Sequence, residues 1–197
     1  YKSNIRSVIY VSSTGVYGNH NGAWVNEDSP IRAKSFFDKN RVIAEEQWQN
    51  FCKNNHLSLN IIRLSGIYGS QRVLKITKGK PLVVLKENHY FSRVHIYDAA
   101  RLTSKIILNS ANNDIWNISD NKPSSREEFI YEGMKIKKIK KCKTMSYAEY
   151  SKNISEISKK FWNNNKKVSN NKIKDYFGYR FIFPTYNSGL RNLKEYL

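Results

Sequence analysis

The chain has 197 residues, of which 40% are hydrophobic and 13% aromatic, so its composition is that of a packed protein rather than a disordered tail. Its apolar runs, such as SVIYV and PLVVL, are too short to span a bilayer, and we expect no membrane partner. The net charge of +18 arises from lysines spread along the whole chain, which favours a solvated surface over a nucleic-acid site.

The cysteines and the first residues place the chain in a cellular and structural context. Cys52 and Cys142 lack the paired spacing of a disulfide framework or a zinc site, so we expect no metal and reduced thiols in the cytoplasm. The chain begins with Tyr1 only a few residues before a buried-looking strand. We therefore expect it to be a piece of a longer protein.

Strand and helix patterns alternate along the chain. A β-branched run over residues 6–13 predicts a buried parallel strand, and residues 38–54 predict a helix with Asp38 as N-cap and Val42, Ile43 and Phe51 on successive turns. Residues 59–69 predict a second strand and loop of the same kind. This alternation predicts an α/β fold with an open parallel sheet and a smaller appended part.

The second half of the chain continues the alternation. Residues 92–108 predict a strand and a helix, and residues 114–120 predict a further strand. Helices are predicted over 124–134, with a capping box from Ser124 to Glu127, and over 146–162, with a capping box from Ser146 to Glu149. The chain then closes with a short strand, a short helix stopped at Gly178, a turn at Pro184 and a final helix.

Four motifs carry a resemblance to a known family. VSSTGVYG, IIRLSGIYG, RVHIYDAA and DIWNISD occur in the order and at the kind of spacing found in extended short-chain dehydrogenase/reductases, the NAD-dependent epimerase/dehydratase family. The closing segment KKVSNNKIKDYFGYRFIFPTYNSGLRNL resembles its atypical, YeeZ-like branch. The resemblance implies a partial Rossmann-like parallel sheet, formed by the C-terminal strands of that fold, with a small α/β part that binds substrate.

The resemblance also implies a division of the chain and a cofactor. Residues 1–70 match the C-terminal half of the NAD(P)-binding domain, and residues 71–197 match the substrate-binding region, within which 95–120 return a helix and a strand to the sheet. A glycine-rich turn that would hold the dinucleotide phosphates is absent, because GVYG and GIYG lack its third glycine. We therefore expect NAD or NADP to bind only together with an upstream half.

The catalytic residues of the family are matched only in part. Ser13 stands where a hydroxyl donates a hydrogen bond to the reacting substrate oxygen. Phe37 and Arg41 stand where the family has the tyrosine that transfers the proton and the lysine that assists it. Since phenylalanine has no proton to give, Tyr17, Tyr68 and His95 are candidate replacements beside family loops.

The binding residues implied by the resemblance fall into two groups. For the cofactor they are Ser12, Arg41, Leu64, Ser65 and Gly66; for the substrate they are Thr14, Tyr68, Arg72 and Arg93. Gly66 permits a close backbone approach, and the planar guanidinium groups of Arg72 and Arg93 suit a diphosphate. We expect Ser13 and Arg41 to face one crevice at the carboxyl edge of the sheet, with the Phe37 ring between them.

Two functions remain open at this point. The first is a fragment of an NAD(P)-dependent oxidoreductase or epimerase-like protein that acts on a nucleotide sugar or a similar hydroxy or keto compound and is inactive alone. The second is a catalytically inactive NAD(P)-binding sensor or scaffold, because the departures at Phe37 and Arg41 remove the usual proton relay. A homodimer through the helix at 38–54 is a further expectation.

Overall fold

The computed structural model describes residues 5–69, 81–109 and 113–192. In chain order its strands and helices are β1 (Ser7–Ser13), β2 (Trp24–Val25), α1 (Phe36–Asn54), β3 (Ser58–Leu64), β4 (Gly66–Tyr68), β5 (Leu82–Leu85), β6 (Arg93–His95), α2 (Ile96–Leu108), β7 (Asp114–Ile118), α3 (Arg126–Ile136), β8 (Lys143–Ser146), α4 (Tyr147–Tyr150), α5 (Glu156–Asn163), β9 (Lys167–Val168), α6 (Asn171–Phe177) and α7 (Tyr186–Asn192).

The main sheet is parallel, as the alternation of strands and helices predicts. Its order is β1-β3-β7, with Val11 opposite Ile62 and Ile62 opposite Trp116. Further two-stranded parallel pairs join β2 to β9, β4 to β6 and β5 to β8. The carboxyl ends of β1 and β3 therefore lie side by side, so the loops that follow them share one edge of the sheet.

Helix α1 begins earlier than the sequence predicts and buries a different face. Ser35 is its N-cap, because the Ser35 hydroxyl accepts a hydrogen bond from the backbone N–H of Asp38 at 3.1 Å. Its buried residues are Asp38, Glu45 and Cys52. The predicted cap at Asp38 is wrong. Of the apolar residues predicted on successive turns, Val42 packs against a core cluster, whereas Ile43 and Phe51 are 49% and 50% exposed.

The capping predictions of the second half are corrected in two places. The capping box of α3 joins Ser125 to Glu128, one residue later than predicted. The predicted single helix over 146–162 is divided, because Ile154 is extended and Ser155 caps a new helix, α5. The box from Ser146 and the stop of α6 at a left-handed Gly178 with φ 55° are confirmed.

The largest core cluster joins the sheet to α2 and to the C-terminal segment. Its buried members are Ile62, Val94, Ala99, Leu102, Ile106, Trp116, Ile118, Ile173, Tyr179 and Phe181. Asp98, at the start of α2, accepts hydrogen bonds from the Tyr179 hydroxyl at 2.8 Å and from the backbone N–H of Phe183 at 2.8 Å. These bonds fix the C-terminal segment to the start of α2.

Strand β1 forms an edge of the main sheet in the described part of the chain, because it pairs only with β3 there. Val11 on this strand is 47% exposed. An open strand edge with exposed apolar side chains favours pairing with a further strand. Separately, none of the described helices is long and apolar enough to cross a membrane.

Candidate functional site

A cavity of about 420 Å³ lies at the carboxyl ends of β1 and β3. Seven residues singled out from the sequence line it: Ser12, Ser13, Thr14, Arg41, Leu64, Ser65 and Gly66. Residues from distant parts of the chain complete the lining, among them Asp38, Tyr90, Phe91, Ser92, Lys160, Phe161, Asn164 and Lys166. The structure thus brings most of the predicted site residues together in one place.

Ser13 occupies the junction between β1 and the 3₁₀ turn Thr14–Tyr17. It is the N-cap of that turn, and its hydroxyl accepts a hydrogen bond from the backbone N–H of Gly15 at 3.1 Å. The hydroxyl is the acceptor in this bond, so its own proton remains to be donated to a molecule in the cavity. The neighbouring Thr14 hydroxyl donates to the carbonyl of Leu64 at 3.5 Å.

Ser12 is committed to a buried polar network behind the cavity. Its hydroxyl donates to Glu45 Oε1 at 2.6 Å, and Glu45 Oε2 pairs with Arg63 Nη2 at 2.7 Å. Arg63 Nη1 donates to the Tyr17 hydroxyl at 3.0 Å, and that hydroxyl donates to Asn117 Oδ1 at 2.9 Å. The Ser12 side chain therefore joins α1 to the sheet, and the cofactor contact of this residue stays a prediction.

Phe37 does not line the cavity, although Arg41, on the next turn of α1, does. The Phe37 ring is 47% exposed, lies edge-on to Phe36 at 5.8 Å, and has Lys160 Nζ 5.4 Å from its centre. The expected ring between Ser13 and Arg41 is thus not part of this cavity. Asp38, the next residue along the helix, lines the cavity instead. Its carboxylate is held there by Ser35, Asn164 and Lys160.

The Asp38 carboxylate is fully buried and pairs with Lys160, and a second lysine, Lys166, lies nearby. Its Oδ2 accepts from the Ser35 hydroxyl at 2.7 Å and from Asn164 Nδ2 at 3.1 Å, and its Oδ1 lies 2.9 Å from Lys160 Nζ. Lys166 is 7% exposed, and its Nζ donates to the carbonyl of Gly18 at 3.1 Å. Burial lowers the pKa of Lys166 to about 8; nearby Asp38 raises this pKa and Lys160 lowers it.

A second cavity of about 230 Å³ adjoins the first, and both are lined by Gly66, Ile67, Phe91, Ser92 and Phe161. Arg93 lines this second cavity, with its Nη1 donating to the Ser124 hydroxyl at 2.7 Å and its Nη2 to the Ser125 carbonyl at 3.2 Å. Burial lowers the pKa of Arg93 to about 10. Its guanidinium thus anchors the start of α3, and its contact with a diphosphate stays a prediction. Arg72 lies outside the described residues.

The candidate replacements for the missing tyrosine lie outside the first cavity. Tyr17 belongs to the buried network, where burial raises the pKa of its hydroxyl. Tyr68 lines the second cavity, donates to the carbonyl of Thr185 at 3.4 Å, and has a pKa raised by burial. His95 caps α2 through its Nδ1, which accepts from the Tyr97 N–H at 3.3 Å, so it has a structural role.

Asp38, Lys160 and Lys166 were missed as site residues by the sequence reasoning. Asp38 was interpreted as a helix cap, and the two lysines belong to a lysine-rich region far along the chain. No local pattern marks their meeting, because it depends on how the segment before β9 folds back onto α1. The one sequence signal near these residues was the closing segment that resembles the YeeZ-like branch, because that segment includes Lys166.

Comparisons with known proteins agree with this architecture. The family model for the NAD dependent epimerase/dehydratase family matches residues 1–119, and no curated protein matches the chain. A conserved protein of unknown function from Silicibacter pomeroyi DSS is 31% identical with a TM-score of 0.88, over 96% of this chain and 66% of that one. The chain therefore spans slightly less than two thirds of that protein.

Two more distant structures share the fold. The human epimerase family protein SDR39U1 (isoform 2), solved with NADPH, is 17% identical with a TM-score of 0.78, over 100% of this chain and 68% of that one. The dTDP-glucose 4,6-dehydratase of Bacillus anthracis str. Ames, solved with NAD, is 15% identical with a TM-score of 0.76, over 96% of this chain and 61% of that one. Because the family model covers more than half of the sequence, this chain belongs to the NAD-dependent epimerase/dehydratase family.

Proposed function

We propose that the chain forms the reacting end of an NAD(P)-dependent oxidoreductase or epimerase-like protein that acts on a nucleotide sugar or a similar hydroxy or keto compound. One observation carries the proposal: Ser13 and Arg41, from β1 and α1, line the same cavity together with Leu64, Ser65 and Gly66. NAD or NADP is the proposed cofactor, since the structural neighbours from B. anthracis and human were solved with NAD and NADPH.

The cavity lining suits the nicotinamide end of such a cofactor. The Ser65 hydroxyl is buried and has no hydrogen-bond partner among the described residues, so a bound amide or ribose group would satisfy it. Arg41 offers a permanent cation and several donors to ribose hydroxyls. Gly66 permits the close approach of the backbone to Ser92, because a Cβ there would lie 3.3 Å from the carbonyl of Ser92. When bound, the cofactor supplies the oxidising or reducing equivalent.

In the proposed reaction Ser13 donates a hydrogen bond to the substrate oxygen and orients it. A donor fixed in this way stabilises negative charge that develops on the oxygen during the reaction. We further propose that residues 1–70 and 71–197 are the cofactor-side and substrate-side regions, and that an additional strand of the same protein pairs with the open edge of β1. The dinucleotide phosphates would bind beside that strand.

The test is a turnover assay on the whole protein. Purified enzyme is mixed with NADH or NADPH and with a panel of nucleotide keto sugars, and consumption of the reduced cofactor is followed. We expect consumption with at least one compound, and no measurable cofactor binding by residues 1–197 alone. Micromolar NAD(P)H binding by a monodisperse sample of the chain alone would contradict the second expectation.

A second candidate function is a catalytically inactive NAD(P)-binding sensor or scaffold. It is favoured by the position of Phe37, whose ring bears no proton and stays outside the cavity. Binding of NAD(P)H by the whole protein, without turnover of any compound in the panel, would support this function over the first.

Restoring the family pair discriminates between the two functions. For an enzyme that uses another proton carrier, we expect Phe37→Tyr combined with Arg41→Lys to give no gain in kcat, because neither change supplies a group that the reaction lacks. Phe37→Tyr alone is the control and should leave kcat within about twofold, as expected for a half-exposed surface position. A sensor should show no turnover before or after the double change. A large gain in the double variant would show instead that the unchanged protein lacks a working proton relay.

A further inference from the structure

Lys166 is the unexplained group in the cavity. Its side chain is 7% exposed and lines the same cavity as Ser13 and Arg41, yet its Nζ forms no salt bridge with any described residue. The hydrogen bond to the carbonyl of Gly18 is its anchor. A lysine is rarely buried without a carboxylate partner, because desolvation of the ammonium is costly. Such a lysine is a candidate functional group.

The charges around Lys166 come from several elements. Asp38 on α1 pairs directly with Lys160 on α5, so the nearest carboxylate is shared with a competing cation. His20 and His89, from two loops, also experience the charge of Lys166. Burial and Lys160 outweigh the attraction of Asp38, and the pKa of Lys166 falls to about 8. At pH 7 about one tenth of the amine is then neutral and able to accept a proton.

The position of Lys166 relative to Ser13 is set by one short turn. Ser13 caps the start of the 3₁₀ turn Thr14–Tyr17, and Lys166 Nζ binds the carbonyl of Gly18 at its end. The Ser13 hydroxyl and Asp38 Oδ1 both lie within 3.4 Å of the point where a Cβ on Gly15 would stand. A hydroxyl and a carboxylate therefore lie at the start of this turn and an amine at its end, and all three residues line the cavity.

We propose that the Lys166 amine carries the reaction's proton, in place of the hydroxyl that Phe37 lacks. The proposal rests on the proposed function. In the oxidising direction the substrate O–H bond breaks and its proton passes to the neutral amine, which becomes ammonium. The adjacent C–H bond breaks, its electron pair leaves with the hydrogen as hydride to an oxidised nicotinamide dinucleotide, and the carbon–oxygen bond becomes a carbonyl. Reduction runs the same transfers in reverse.

The first test needs no substrate. The whole protein is acetylated with trace acetic anhydride over a range of pH, and peptide mass spectrometry gives the acetylation rate of each lysine. Because only the neutral amine reacts, the dependence of this rate on pH gives the pKa of that lysine. We expect Lys166 to react with an apparent pKa of about 8. Lys160→Met should raise that value and Asp38→Asn should lower it, whereas replacing the exposed Lys39 by Met should leave it unchanged. Titration of Lys166 alongside exposed Lys39, or no labelling at any pH, would overturn the proposal.

The second test separates the role of Lys166 from the proposed function. In the whole protein, Lys166→Met should lower kcat by about 10²- to 10⁴-fold, as loss of a general acid or base does, while NADPH binding, followed by fluorescence, stays within a few-fold. In Lys166→Met, the dependence of kcat on pH near the pKa of Lys166 should disappear. Lys166→Arg should not restore kcat. Unchanged kcat in Lys166→Met overturns this inference alone. NADPH binding without turnover in the unchanged protein overturns the proposed function and this role together.

Discussion

Replacing Glu45 by alanine is expected to lower the free energy of unfolding by about 3–5 kcal/mol, the cost of leaving a buried charge without its partner. Glu45 and Arg63 are each 5% exposed at the side chain and pair at 2.7 Å. Without Glu45, the Tyr17 hydroxyl is the one hydrogen-bond partner that the described residues leave to the buried Arg63 guanidinium, and the Ser12 hydroxyl loses its acceptor. Urea unfolding followed by circular dichroism measures the loss.

The neighbouring position provides the matched control. Glu46 is exposed on the same helix, so Glu46→Ala should change stability by no more than about 0.5 kcal/mol. Replacing Glu45 by Leu and Arg63 by Met together should cost less than Glu45→Ala alone, because an apolar pair leaves no uncompensated charge. Equal losses for Glu45→Ala and Glu46→Ala would contradict the buried network.

Replacing Ser13 by alanine is expected to lower kcat of the whole protein by about 10²- to 10³-fold, the usual effect of removing one fixed donor to a reacting oxygen. NAD(P)H binding should change little, because the cofactor contacts assigned above come from other residues. Ser13→Thr retains the hydroxyl and should retain most of the activity. The capping bond to Gly15 is also lost in Ser13→Ala, at a cost to stability of about 1 kcal/mol, so folding is checked by thermal unfolding.

A kcat that Ser13→Ala leaves unchanged would remove Ser13 from the reaction. A kcat that falls equally in Ser13→Ala and Ser13→Thr would show that the shape of the turn matters rather than the hydroxyl. Only a loss confined to the alanine variant agrees with a hydrogen bond from Ser13 to the substrate.

The parts of the fold that the sequence predicted well are those decided locally. The runs that became β1, β3 and β7 contain β-branched residues, and a serine ends or directly follows each of them. Parallel strands place such ends at one edge of the sheet. The meeting of Ser13 with residues 64–66 follows from that rule alone. Arg41 joins them because α1 packs directly against both strands, with its N-terminal turns at the same edge.

The parts that were missed depend on partners distant in sequence. The buried face of α1 carries Asp38 and Glu45, which local hydrophobic patterns assign to the surface. They are buried because Lys160 and Arg63 reach them from α5 and β3. Arg93 shows the same limit: its residue type suits a phosphate, but its Nη1 and Nη2 donate to the nearby carbonyls and hydroxyl of residues 91, 124 and 125.

The most direct test of the account is a crystal structure of the whole protein with NADPH bound. We predict that the nicotinamide ring lies in the cavity at the carboxyl ends of β1 and β3. The Ser65 hydroxyl and the Arg41 guanidinium should be within hydrogen-bond distance of the nicotinamide or its ribose, and the Ser13 hydroxyl should face the reacting side of the ring. A nicotinamide ring bound away from this cavity, with Ser13 and Arg41 contacting nothing, would contradict it.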